Sequence, residues 1–577
     1  MTGEGMEALA GIMDVGVQRL AGIALKQSST EDSPVDADLV PLASVPAGEP
    51  LIDGQAAADI QGNVFPGFNK DHQRFLFLTM NVTDDARTWL RWLAPRLSSM
   101  QEVLDFRREF RRERLLTGTT EPSKPATWIA FALSHHAICK LLGKHAGDEM
   151  GDEAFRQGMA ARSTLLGDPA EQSLPGHRER WRVGGPDSEV DFLVIVAADI
   201  AQDVEQAAAE IVQAAARGGL TLSFEQVGEN LPGNLSGHEH FGFKDGISQP
   251  GIRGVTSDGE HLSPRYLDPR NPHSRIFGKP GQPLVWPGQF LLGLPRQDPA
   301  DPLAPAEDNG NFPAWARNGS YLVCRRLNQD VPAFWDFAAT ASREYGTSPV
   351  RFASMMVGRW PSGAPISRSP HEDDLSLAGD EFAHNHFLFD DDTTHWLPSK
   401  ELAEAGYKED DHTRATADIF GQTCPMAGHI RKVNPRDSGT DFGASADTML
   451  RLMMRRGIPY GPVLAGVKDP PPQLIAAERG LMFVAYMSSI EDQFEFVTRR
   501  WANSSLQPNA SGHDPIIGQS DVHGDRERTL ELRLPGGDRE RFSLPREWIT
   551  PTGGGYFFAP AISAVGNVLA NGEVGDH

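Results

Sequence analysis

The chain has 577 residues, 39% of them hydrophobic, enough to bury two or more ordinary cores as a globular protein. Its formal charge of −24, with no run of Lys and Arg standing out, argues against a nucleic-acid partner. No window approaches the roughly 18 unbroken apolar residues of a membrane span. The three cysteines, Cys139, Cys324 and Cys424, are too few and too scattered for a disulfide framework or a zinc site. A reducing compartment fits that usage. With neither twin arginines nor a basic, apolar and small-residue leader at the start, a cytoplasmic location is the expectation.

In chain order, Met6–Lys26 places Leu9, Ile12, Met13, Val17, Leu20 and Ile23 at helical intervals, and Ser28–Pro50 has the Ser, Pro, Ala and Asp content of a linker. From about residue 57, strands alternate with amphipathic helices. Arg74–Met80 reads as a strand and Asp84–Met100 as a helix with Trp89, Leu90, Trp92 and Leu93 on one face. Trp128–Leu133 leads into a helix over His135–Leu142, and Asp191–Val196 into a helix over Ala201–Ala216 followed by the alternating Leu220–Phe224. The pattern restarts after residue 317. Gly319–Cys324 precedes a helix over Val331–Tyr345, and Gly480–Tyr486 precedes one over Ile490–Asn503. Pro- and Gly-rich Lys279–Asn318, with shorter stretches at 361–370 and 505–520, reads as surface loop. The expected fold class is α+β, with residues 1–56 as helix and linker, 57–316 as a first half and 317–577 as a second.

Two segments concentrate chemistry. Gly242-Phe243-Lys244-Asp245-Gly246, followed by Ile247-Ser248-Gln249-Pro250, sets a carboxylate between glycines that permit a tight turn or a close backbone approach, although such an Asp often does no more than cap a turn. Gly428-His429-Ile430-Arg431-Lys432-Val433-Asn434-Pro435-Arg436 sets an imidazole ahead of a basic run, and Arg455-Arg456-Gly457-Ile458-Pro459 adds two guanidinium groups. Neighbours on a strand point to opposite faces, so only one of Arg455 and Arg456 can face a site there. By the same rule Leu481 and Phe483 share a face. His238-Glu239-His240 and His384-Asn385-His386 would each align two imidazoles on a strand, but neither comes with a third ligand at a recognised spacing. No phosphate-cradling loop or dinucleotide fingerprint occurs.

At these residues the chain resembles the dye-decolourising peroxidases, which carry a Gly-x-x-Asp-Gly motif, a His before a basic run and an Arg four residues ahead of a Pro. Matching stretches span nearly the whole sequence, from Asp59–Val64 to Gly553–Pro560. The resemblance implies two ferredoxin-like halves whose antiparallel sheets face each other, flanked by helices, with haem held mainly by the second half. The length of Lys279–Asn318 and Asp373–Arg414 places the chain among the longer subfamilies.

The same resemblance implies roles for named residues. His429 is the axial iron ligand, its other ring nitrogen backed by a carboxylate, Asp514 first and Glu491 second. Asp245 is the acid/base, which implies activity persisting into acid, and Arg455 is the distal cation. Leu481 and Phe483 form an apolar wall, and Gly246 allows the backbone close to the porphyrin edge. Arg436, then Arg431 or Lys432, meets the propionates. The implied cofactor is one haem b per chain, and the implied partners are hydrogen peroxide and phenolic, dye-like or other small aromatic reductants, with a homo-oligomer allowed. The rival reading is a haem-binding or haem-handling protein with little turnover, which needs His429 but neither Asp245 nor Arg455. Eleven Trp and seven Tyr offer candidates for relaying electrons to the surface without singling one out.

Overall fold

The computed structural model describes Leu9 and residues 48–573, apart from 120–121, 266–271, 309, 392–411, 444, 468–469, 520–526 and 534–537. The expected helix over Met6–Lys26 lies outside the described residues but for Leu9, as does nearly all of the linker and much of Asp373–Arg414.

The first half runs β1 (His72–Met80), α1 (Thr83–Leu93), α2 (Met100–Thr117), β2 (Thr127–Leu133), α3 (His135–Leu142), β3 (Phe192–Ala198), α4 (Ala201–Arg217) and β4 (Leu220–Glu229). The second runs β5 (Ser320–Gln329), α5 (Val331–Tyr345), α6 (Pro349–Val357), α7 (His429–Val433), β6 (Met454–Arg455), β7 (Ile458–Tyr460) and β8 (Gly480–Met487). It ends with the π-helical turns Ile490–Glu495 and Val497–Ala502, a hairpin of β9 (Arg528–Arg533) and β10 (Arg539–Leu544), and β11 (Ile549–Ala559). The helix expected over Asp84–Met100 stops at Leu93. Pro95 lacks the N–H that a continuing helix needs, at a cost of about 3 kcal/mol inside a helix, so the chain makes one 3-10 turn before Ser99 caps α2 through Glu102 N.

Nine strands form one antiparallel sheet in the order β6-β8-β5-β11-β2-β3-β1-β4, with β7 also paired to β8. Within each half the order is fourth, first, third, second, the ferredoxin-like arrangement that the restarting sequence pattern foreshadowed. The two half-sheets also meet edge to edge. β11 reaches β2 where Phe558 opposes Leu133, and β4 comes against β7, where a Cβ on Gly228 would lie 2.5 Å from Ile458 Cγ2. Arg326 on β5 reaches over the same seam and donates from Nε to Gln226 Oε1, 2.8 Å.

Side-chain parity then sorts the core. Phe75, Phe77, Leu193, Ile195, Leu322, Met482, Val484 and Phe557 point into the curl of the sheet. Leu76, Leu78, Val194, Val196, Tyr321, Val323, Ala485 and Phe558 point out beneath helices, including Trp89, Leu90 and Leu93 of α1 and Val204 and Ile211 of α4. Both faces of β3 are buried over all seven residues, as a strand with apolar residues at both parities requires. Leu481 and Phe483 have the outward parity, so the second half presents them to the space between its sheet and its helices.

Candidate active site

That space is a cavity of about 480 Å³ lined by Asp245, Gly246, Arg325, Leu327, Gln329, Arg359, His429, Arg436, Arg455, Leu481, Phe483 and others. His429 opens α7. Gly428 before it has no room for a side chain, since a Cβ would lie 3.0 Å from Met355 O and from Pro425 O, and this lets α7 sit close to α6. His429 Nδ1 lies 2.8 Å from Asp514 Oδ2, a carboxylate with no exposed surface. The other carboxylate oxygen accepts from Ile516 N and Ile517 N at 2.8 and 2.9 Å.

Burial opposes the charge on Asp514, but the His429 imidazole and these backbone donors outweigh it and hold the carboxyl below its ordinary range. A carboxylate so placed accepts the proton on Nδ1, which leaves Nε2 as the ring's available nitrogen. Burial likewise disfavours the imidazolium, yet the charge and hydrogen bond of Asp514 raise His429 overall. The 29% of its side chain that is accessible opens onto the cavity. Glu491, the second candidate for this contact, pairs with Arg162 at 3.4 Å.

Asp245 reaches the same cavity from a loop pinned by Asp245 N to Gly237 O at 3.0 Å and Lys244 N to Pro361 O at 3.2 Å. Gly246 follows with φ 76°, a conformation that glycine adopts without strain. Arg455 Nη2 is 3.9 Å from Asp245 Oδ1, with side chains 34% and 50% exposed. An open pair of that kind contributes under about 1 kcal/mol, so it does not set the geometry. Gln249 does. Its Oε1 accepts from Arg455 N and its Nε2 donates to Arg455 O, each at 3.2 Å, which fastens the Asp245 segment to β6. Arg456 turns the other way and donates to Asn63 O and Val64 O at 3.0 Å, as strand alternation required.

The basic residues after His429 divide. Arg436 lines the cavity, donating from Nη2 to Asn385 Oδ1 at 2.6 Å and from Nη1 to Phe387 O at 2.6 Å. Arg359, to which the sequence reading gave no role, joins it by donating to Ser248 Oγ at 3.0 Å and to the same Asn385 Oδ1 at 3.2 Å. Both make these bonds to neutral oxygens, and burial lowers them to about 9 for Arg359, with Arg436 adding to the effect, and about 10 for Arg436. A buried and a half-buried cation held this way favour an anion at the cavity wall. Arg431 is not brought there: it is 1% exposed and bonded to Asp418 and Cys424 O, because its position on α7 points it away from the His429 face. Lys432 is likewise committed, to Gly512 O at 2.7 Å.

In the two His-x-His segments imidazoles are engaged by backbone carbonyls. His240 Nε2 meets Tyr460 O at 2.8 Å and His384 Nδ1 meets Ala378 O at 3.2 Å, and burial lowers each to about 4. Among the described residues no group of three or more His, Cys, Asp or Glu is placed to hold a metal ion. Gln249 and Ser248 stood in a motif already singled out, whereas Arg359 and Asn385 carried no local signal, since their partners lie far away in sequence.

Comparison with known proteins agrees along the chain. The DyP dimeric alpha+beta barrel domain matches residues 59–229 and the Dyp-type peroxidase C-terminal domain matches 304–510, more than half of the chain between them. The dye-decolorizing peroxidase msp1 of Mycetinis scorodonius is 29% identical over 569 residues, covering 92% of this chain and 93% of its own. The multifunctional dye peroxidase DyP2 of an Amycolatopsis species is 27% identical over 88% of this chain and 96% of its own. The crystal structure of a fungal DyP-type peroxidase from Auricularia auricula-judae superposes with a TM-score of 0.65 at 28% identity, over 89% of this chain and 99% of that one. With both domains matched in order, the strand plan repeated in each half and the Asp, His and Arg of the motifs gathered on one cavity, the chain belongs to the dye-decolourising peroxidase family.

Proposed function

We propose that this protein is a haem peroxidase that reduces hydrogen peroxide and oxidises phenolic, dye-like or other aromatic compounds in one-electron steps, with one haem b per chain. The observation that carries the reading is the sharing of a single cavity by an Asp514-backed imidazole and by Asp245 with Arg455. The residues present fit haem. Among the described residues His429 is the one imidazole on the cavity, its Nε2 is the nitrogen left for iron, Leu481, Phe483, Met453 and Ile516 offer apolar walls, and Arg359 with Arg436 would meet the propionates. The Asp514 carboxylate fixes the ring orientation and makes His429 a stronger electron donor.

When bound, haem supplies the redox chemistry, taking two oxidising equivalents from peroxide and passing them to reductant one electron at a time. Asp245 takes the proton from one peroxide oxygen and delivers it to the other, which departs as water. Arg455, whose planar guanidinium offers several donors in fixed geometry, donates to the departing oxygen as negative charge gathers there. A haem-handling role would leave Asp245 and Arg455 without work, and their pairing at the cavity favours the enzyme. The three free cysteines support a reducing, cytoplasmic setting as part of the same proposal.

The test is to supply purified protein with hemin, record its absorption spectrum, and mix it with one equivalent of peroxide. A Soret band with a five-coordinate or aquo ferric signature, followed by rapid peroxide loss that leaves an oxidising protein, is expected. Protein that stays colourless, or that binds haem and ignores peroxide, rules the reading out.

A further inference from the structure

The central carboxylate of the His238-Glu239-His240 segment is half-buried at the edge of the cavity. Glu239 Oε2 accepts from Phe241 N at 2.8 Å and from Gln329 Nε2 at 2.5 Å, and Oε1 accepts from Phe243 N at 3.0 Å. Its backbone closes the same turn: Glu239 N donates to Phe243 O at 3.0 Å, and Gly242 N donates to Glu239 O at 2.9 Å. One residue therefore takes up two successive outward-facing amides of the stretch that delivers Asp245 two positions later, and ties that stretch to Gln329 on β5. The phenyl rings on either side hold the stretch against α5, Phe241 on Phe334 with centroids 4.4 Å apart and Phe243 on Trp335 at 6.2 Å. Asp245 itself is half exposed; its Oδ1 accepts from Gly246 N at 2.6 Å, a contact inside the same turn, and its ion pair with Arg455 is too weak to place it.

We propose that Glu239 is a positioning residue for the reaction with peroxide: by bridging the amides of Phe241 and Phe243 to Gln329, it sets where the Asp245 carboxylate stands in the cavity. The proposal rests on the peroxidase reading above and adds to it a residue that acts through Asp245. Burial lifts the Glu239 carboxyl to about 7 in spite of its donors, which puts its value in geometry rather than in a fixed charge. Gln329 strengthens the case, because its Oε1 is buried without a partner. In a Glu239→Gln protein the new carbonyl oxygen can stand where Oε2 stood, accepting from Phe241 N and Gln329 Nε2, while the new amide N–H2 faces Phe243 N and forfeits that one bond. In Glu239→Leu all three bonds are lost.

The experiment compares haem-loaded parent, Glu239→Leu, Glu239→Gln, Asp245→Asn and the Glu239→Leu/Asp245→Asn double variant. The readouts are the Soret band, the second-order rate of peroxide consumption, and amide hydrogen exchange across residues 239–246. In Glu239→Leu the peroxide rate is expected to fall about 100-fold with the Soret band unchanged, the scale of loss for a catalytic group misplaced by about 1 Å. The amides of Phe241 and Phe243 lose protection in the same variant. Glu239→Gln, which keeps the bonds to Phe241 N and Gln329 and loses the one to Phe243 N, is expected to lose less rate than Glu239→Leu and to keep the protection at Phe241. In the Asp245→Asn background Glu239→Leu costs less than about threefold more, since a residue acting through Asp245 has nothing left to position. Additive losses in the double variant, or normal peroxide reaction in a Glu239→Leu protein with unprotected amides, overturn the proposal and leave the functional reading standing. An Asp245→Asn protein that reacts like the parent overturns that reading, and the positioning role with it. Should Glu239→Leu fail to fold, Glu239→Gln with protection lost at both Phe241 and Phe243 and an unchanged rate also overturns it.

Discussion

A buried carboxylate beside a ligand imidazole is costly unless each of its lone pairs is used, and Asp514 uses them on His429, Ile516 and Ile517. Removing the imidazole and weakening its partner therefore have separable effects. His429→Ala protein supplied with hemin is expected to show no normal Soret band and no turnover. Asp514→Asn keeps the shape and the pigment but is expected to lower turnover about 10- to 100-fold, the usual cost of losing such a partner, with a shifted ferric spectrum as the check. On the other side of the site, Arg455→Leu removes a donor aimed at developing charge. A loss of about 10²- to 10³-fold in the rate of peroxide reaction is expected with haem content unchanged, and stopped-flow measurement of that rate decides it.

Among the elements, the π-helical turns over Ile490–Ala502 matter most, because they deliver Phe494, Val497 and Thr498 to the cavity. They are fastened to the first half by Asp152. Its Oδ1 accepts from Phe155 N at 2.9 Å at the start of the short helix Glu153–Gln157, and its Oδ2 accepts from Ile490 N at 2.8 Å. Burial raises this carboxyl to about 6, the backbone donors opposing and Glu491 adding to the rise. Folded protein thus holds a proton on Asp152 at pH values where the unfolded chain has released it. The contribution to stability is complete below the ordinary carboxylate range and is lost as pH rises to about 6, by up to about 3 kcal/mol. Asp152→Asn cannot titrate, so its urea midpoint is expected to change less than the parent's between pH 4 and pH 7. Equal changes in the two proteins would contradict this.

For the whole molecule, the seam between halves is where distant sequence meets. Gly228 on β4 leaves room for Ile458 on β7, and Phe75 is the next neighbour that a side chain there would strike. Gly228→Val overfills this seam and is expected to destabilise the protein by about 1–3 kcal/mol, read as a lower denaturation midpoint. Because β7 directly follows the β6 residue Arg455, the same variant is expected to slow peroxide reaction more than it weakens haem retention, which rests on α7 and Asp514. Parallel titrations of haem loss and peroxide rate test that order.

The sequence by itself determined what is local. The spans of α3 and α5 follow from apolar spacing between a capping residue and a closing glycine, Ser134 and Gly143 for one and Asp330 and Gly346 for the other. The motifs of the family resemblance named His429, Asp245 and Arg455; strand alternation allowed only one of Arg455 and Arg456 to face the site, and the family's spacing to Pro459 picked Arg455. Some elements were hidden even at this level. The charged run in α2 dilutes its apolar stripe, and the successive glycines of β11 carry little strand signal although close packing requires them, since a Cβ on Gly554 would lie 2.4 Å from Cys324 O. Tertiary structure alone decided that Arg431 leaves the site while Arg359 and Asn385 enter it, that Gln249 holds Arg455, and that the two half-sheets close on each other. Those outcomes depend on hydrogen bonds and contacts between residues tens to hundreds of positions apart, and nothing in a local pattern of residues records which distant partner a side chain will meet.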